Sequence, residues 1–190
     1  MTAPRRSERG AVLVEFALSL VLLITLLFGI VEFGLAWQDR LTLQTATRAG
    51  VRVGSNLTTN SQADYNILQA VKSAINDVGL GNVDAVVIYK STTADGSVPS
   101  TCVSPSVHSV VATCNAYTGA QLTSIVSSQF GCGVGDLDLS WCPTVRQNLQ
   151  AVGPDYLGVW IRVTHHNLTS LFGSSFKMTD SAVMRLEPLT

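Results

Sequence analysis

The sequence predicts an α+β fold: a long N-terminal helix able to cross a membrane, its outer half packed on a small antiparallel sheet, with a disulfide-bearing insertion. Three observations predict it. Residues 11–37, AVLVEFALSLVLLITLLFGIVEFGLAW, are an apolar stretch broken only by Glu15 and Glu32. Two late segments alternate apolar and polar residues with the period of strands. Four cysteines, Cys102, Cys114, Cys132 and Cys142, fall together in a stretch rich in Ser, Thr, Gly and Pro.

The apolar stretch comes first. As a helix it would run roughly 40 Å, enough for a hydrocarbon core of about 30 Å. A cleavable secretory signal has an apolar region of only about 7–15 residues and a small-residue cut site behind it. Phe33, Leu35 and Trp37 at the far end offer no such site. Arg5, Arg6 and Arg9 precede the stretch, while Glu32, Asp39 and Arg40 close it. That asymmetry predicts a single pass with the N-terminus cytoplasmic, membrane lipid around residues 11–37, and residues 38–190 as an extracytoplasmic domain.

Glu15 is the irregularity. A carboxylate that deep costs at least about 2–3 kcal/mol, so it either marks the membrane edge, with the span starting at Phe16, or has a partner. A cut after Gly10 would remove residues 1–10 as a leader and free an α-amino group at Ala11, four residues before Glu15 on the same helix face.

Residues 38–54 extend the first helix. Arg40, Gln44, Arg48 and Arg52 form a polar i,i+4 row; Leu35, Thr42, Ala46, Ala49 and Val53 form a small-residue face suited to close packing. Gly50 and Gly54 weaken the helix and are expected to end it. After the polar turn 55–62, Ile67, Val71, Ala74, Ile75 and Val78 recur at helical spacing, with Ser61 and Asp64 as the start and Gly79 as the stop.

Val83–Lys90 is short and rich in β-branched residues, a strand. Residues 91–155 lack a long periodic run, apart from a short helix within Ala120–Phe130, and read as an insertion on the outer surface. Its cysteines lie outside the reducing cytosol, which implies two disulfides with three possible pairings; short loops favour Cys102–Cys114 and Cys132–Cys142. In the next strand Leu157, Val159, Ile161 and Val163 share one face, and Trp160, Arg162 and Thr164 the other. His165 and His166 at its end read as surface histidines, since neighbours on a strand point to opposite faces. A loop at 167–175 leads to the last strand, roughly 176–187, stopped by Pro188.

Composition limits the chemistry. A net charge of −1 with 13% charged and 46% hydrophobic residues argues against disorder and against nucleic acid as a partner. No GxSxG, HExxH or paired His/Cys set is present, so no enzymatic activity, metal or cofactor is expected. The cysteine gaps lack zinc-site spacing. Gly131, Gly133 and Gly135 lack the strand and GK[ST] of a phosphate loop, and Asp136 and Asp138 lack the further ligands of a calcium loop.

A Gly, four mostly apolar residues, then Glu15 and Phe16 ahead of an apolar helix resembles a type IV prepilin processing site. The run RGAVLVEFALSLVLLITLLFGIVEFG, with its second Glu-Phe at Glu32-Phe33, most resembles TadE-like pseudopilins of the tight-adherence (Tad/Flp, type IVb) pilus system. Ser181–Pro188 resembles the ending of that family; the cysteine-bearing middle resembles nothing nameable. The resemblance implies a pilin-like fold, processing by a prepilin peptidase at Gly10-Ala11, and a structural subunit contributing to pilus assembly and adhesion. It also implies other pilin or pseudopilin subunits and the assembly platform as partners, with Glu15 and Glu32 taking part in assembly. The alternative is an uncleaved single-pass anchor displaying a binding or sensing module. A soluble protein starting near residue 38 is the third reading.

Overall fold

The computed structural model describes residues 9–169 and 173–188. Arg5, Arg6 and most of the expected leader lie outside the described residues. The chain begins with α1 (Arg9–Leu57), 49 residues and so about 74 Å of continuous helix. Then come α2 (Ala63–Ala74), β1 (Val83–Ser91), α3 (Ser100–Val103), β2 (Cys114–Thr118), α4 (Gly119–Ser124), β3 (Tyr156–His166) and β4 (Ser175–Arg185). The strands form one sheet in the order β2-β1-β3-β4, each neighbour antiparallel. This is the expected α+β arrangement, with the helix lying along β3 and β4.

Gly50 and Gly54 do not end α1. A Cβ at Gly50 would stand 2.8 Å from Val71 Cγ2, and one at Gly54 2.7 Å from Ile67 Cδ1 and 2.9 Å from Leu157 Cδ2. The two glycines let α2 and β3 press onto the helix backbone. Their cost of about 1 kcal/mol each in helix propensity is offset by burial of those side chains, worth about 1.5–3 kcal/mol apiece. The buried stripe of α1 is Leu43, Ala46, Thr47, Gly50, Val51, Gly54 and Ser55, one position round from the expected small-residue face. Arg40, Arg48 and Arg52 are exposed as the polar row predicts, while Gln44 is half-buried.

The inner face of the sheet packs on this stripe. Leu157, Val159, Ile161 and Val163 of β3, with Val86 and Ile88 of β1, meet Leu43, Val51, Ile67 and Val71 in the main core. The second helix is shorter than its periodicity suggests: α2 ends at Ala74, and Gly79, at φ 85°, turns the chain toward β1. Its N-terminus takes no side-chain cap, because Asp64 points inward instead.

Residues 91–155 differ most from expectation. They are part of the body rather than a surface addition. β2 pairs with β1 at the sheet edge, from Ala85↔Thr118 to Tyr89↔Cys114. The segment before it folds over the outer face of the sheet, where Ala85, Val87, Tyr89, Cys102, Cys114 and Trp160 make a second core. The short helix expected within 120–130 is α4, started by a capping box of Thr118 and Gln121. Both disulfides have the sequential pairing, Cys102–Cys114 and Cys132–Cys142.

Candidate functional site

Two parts of α1 stand out: its bare N-terminal stretch and the seam where its C-terminal half meets the β3–β4 hairpin. From Gly10 to Val31 every residue of α1 is exposed except the half-buried Gly29. At about 1.5 Å per residue those 22 positions measure roughly 33 Å, close to the 30 Å of a bilayer core. The most apolar window of α1 has a mean hydropathy of 2.7 and is 0% buried. A lone apolar rod of this length has lipid as its compatible solvent, because all its backbone groups are bonded within the helix. Gly10, Ala11, Glu15 and Phe16 lie on this rod. A Cβ at Gly10 would meet nothing, and Glu15 has no bonded partner among the described residues.

The head begins at Glu32, which is only 4% exposed in the midst of exposed neighbours. Its carboxylate accepts the backbone N–H of Leu168 at 3.1 Å and that of Thr169 on its other oxygen. Further bonds follow along the same side of α1. Asp39 Oδ2 lies 2.6 Å from His165 Nδ1, and the Thr47 hydroxyl donates to Asp180 at 2.6 Å. The Ser55 hydroxyl donates to the Arg185 carbonyl at 2.6 Å, and its own carbonyl accepts from Glu187 N–H at 3.1 Å. Positions 32, 39, 47 and 55 recur every seven or eight residues, two helical turns, so one stripe carries them all.

Residues 157–163 point alternate side chains into the core, and His165 keeps their parity. It is therefore buried, against the expectation of two surface histidines; only His166 is exposed. Its ring also packs on Phe176, centroids 5.0 Å apart. The alternation was the signal that could have placed it.

A second polar cluster holds the insertion. Asp64 and Arg146, both wholly buried, pair at 2.5 Å. Asn115 Nδ2 and the Tyr117 hydroxyl donate to the second Asp64 oxygen at 2.7 and 2.9 Å. The Arg146 guanidinium lies 4.2 Å from the centre of the Trp141 ring. Burial, then the neighbouring Asp64, push the Tyr117 hydroxyl well above its ordinary pKa, so it stays a neutral donor. Nearby, burial raises the Asp138 pKa, partly countered by N–H bonds from Cys132 and Gly131. Asp136 accepts the Gly133 N–H at 2.7 Å, so both carboxylates are turned onto their own glycine loop. Among the described residues no three His, Cys, Asp or Glu side chains are grouped to hold a metal ion.

The unpartnered rod and the acid at its base are what a comparison with known families has to explain. Residues 10–52 match the TadE-like protein family. No curated protein and no solved structure matches the chain. The TadE-like segment contains Gly10, Ala11, Glu15, Phe16 and Glu32, and ends within the part of α1 that packs on the sheet. The resemblance read from RGAVLVEFALSL is borne out over that segment; the likeness at 181–188 lies beyond it. With its TadE-like helix the chain is membrane-anchored through α1, and the head is fastened to the C-terminal half of the same helix.

Proposed function

We propose that the chain is a minor pilin-type subunit of a Tad-type pilus, with a structural rather than enzymatic role, processed after Gly10 by a prepilin peptidase. The observation that carries the proposal is the bare TadE-like rod with Glu15 unpartnered on it, four residues from the amine that cleavage would create at Ala11. In hydrocarbon an unpaired carboxylate is costly. An amine from a neighbouring subunit relieves that cost, so the pairing sets axial register as helices bundle. Pilin or pseudopilin neighbours and the assembly platform are the partners on this reading, and adhesion is its outcome. The N-terminus is cytoplasmic before cleavage, and residues 38–190 are extracytoplasmic.

Intact mass of the native membrane-fraction protein tests the processing. A polypeptide starting at Ala11 supports it; one that keeps residues 1–9 restores the uncleaved display module, and one starting near residue 38 restores the soluble reading. Glu15→Leu should insert and be cleaved yet leave pili unassembled. Normal pili from that variant would overturn the register mechanism.

A further inference from the structure

The described ends of β3 and β4 meet α1 where it leaves its bare stretch. Glu32 holds the Leu168 and Thr169 amides, and Phe176 is cross-strand from His165, which in turn is held by Asp39. The residues below Glu32 already span a hydrocarbon core, so this level is the outer bilayer edge. The headgroup zone continues about 5–7 Å beyond it. At about 1.5 Å per residue, Phe33 stands roughly 3 Å and Trp37 roughly 9 Å past Val31. Three large apolar side chains are exposed at this level, Phe33 at 70%, Leu168 at 71% and Phe176 at 43%, with Trp37, at 55%, just beyond it. Two come from the helix and two from the hairpin. An apolar hollow between Phe33 and Phe176, lined also by Leu26, Gly29 and Ile30, runs on down the bare helix.

Glu32 gives a second, independent reason to look here. A loop that touches the acyl region has no water there to accept its N–H groups. The buried Glu32 carboxylate accepts two such N–H groups, those of Leu168 and Thr169.

We infer that Leu168, just past the end of β3, and Phe176, at the start of β4, make a second membrane contact, lying in the outer headgroup–acyl boundary of the bilayer that α1 crosses. This rests on the reading of residues 10–31 as the span. Phe33 extends the same surface as an interfacial aromatic, and Trp37 stacks on it just above the headgroups. The occupant is lipid because the patch is continuous with the bare rod and lies at its exit depth. The head thus rests on the membrane at two places instead of standing clear on a stalk.

All four cysteines are in disulfides, so one introduced cysteine is the sole thiol. Leu168→Cys, Val134→Cys and Leu22→Cys are each labelled with an environment-sensitive NBD dye in the full chain. The labelled chains go into phosphatidylcholine–phosphatidylglycerol vesicles. The Leu168 side chain makes none of the Glu32 bonds, which use backbone N–H groups, and Val134 is exposed on the loop after Phe130, which packs on Tyr65 past the C-terminal end of α1. The expected result is blue-shifted emission at positions 168 and 22, quenched by doxyl lipids and not by aqueous iodide, with position 134 quenched by iodide alone. Iodide quenching at 168 alongside lipid quenching at 22 overturns the inference and leaves the span standing. Shielding of 168 from both quenchers also overturns it, by showing a protein cover. Iodide quenching at position 22 overturns the span and the inference together.

Discussion

Replacing Asp64 by leucine should be among the most damaging single changes in the head. The substitution strands the Arg146 guanidinium, which is wholly buried and has no acid but Asp64 within ion-pair distance among the described residues. Breaking one side of such a pair costs about 3–5 kcal/mol. It also removes the acceptor of the Tyr117 hydroxyl, adding about 1–3 kcal/mol, whereas Asn115 keeps the Trp141 carbonyl at 2.9 Å. Arg146→Met is milder, because Asn115 and Tyr117 still donate to the Asp64 carboxylate. The double variant buries no charge, so its loss should fall short of the sum of the singles by about 2–3 kcal/mol. Urea unfolding of the full chain in detergent micelles, followed by tryptophan fluorescence, reads the cycle. Trp141 lies against Arg146 and reports on this cluster directly. Single-variant losses that add to the double-variant loss within about 0.5 kcal/mol would refute the coupling.

Other outcomes follow from the same geometry. Asp138 has its pKa raised by burial, so its contribution to stability is greatest below the unfolded carboxylate range and is lost as pH rises through the folded value. Asp138→Asn should therefore gain on the wild type between pH 4 and pH 7 in paired urea titrations, and a constant difference would contradict the shift. Gly158→Ala places a Cβ 2.2 Å from the Tyr89 ring, and moving that buried ring should cost about 1–3 kcal/mol in the same titration. The Cys132→Ser, Cys142→Ser variant opens a loop with a sequence separation of 10, expected to cost about 3 kcal/mol on chain-entropy grounds. Glu32→Ala should remove hydrogen-exchange protection at the Leu168 and Thr169 amides while leaving Val159 and Ile161 protected. Unchanged protection at all four would mean that Glu32 does not hold the hairpin.

Much of this architecture is readable from local pattern. The bare rod follows from one apolar run interrupted only by Glu15, and β3 from strict alternation over Leu157, Val159, Ile161 and Val163. The cysteine pairing follows from loop length. What stays hidden depends on partners far along the chain. β2 is five residues long and turns Asn115 into the core, a choice that makes sense only beside Asp64, 51 positions earlier. Arg146 stands in a Pro-, Thr- and Gln-containing stretch without periodicity, so nothing local marks it as buried. Gly50 and Gly54 read as helix stops because propensity is a property of one helix, whereas their use depends on Ile67, Val71 and Leu157 arriving from elsewhere. Glu32 is visible as a costly acid; its acceptor role needs amides 136 and 137 residues away.

The seam from Glu32 to Ser55 leaves no hinge between rod and head. Bonds at four levels over some 23 residues, about 35 Å, fix the azimuth of the head to that of the helix. A turn applied to the rod at its base is therefore delivered as torque to the sheet, undiminished by slack. The molecule behaves as a crank: the direction in which its bare end is turned decides which way the head faces.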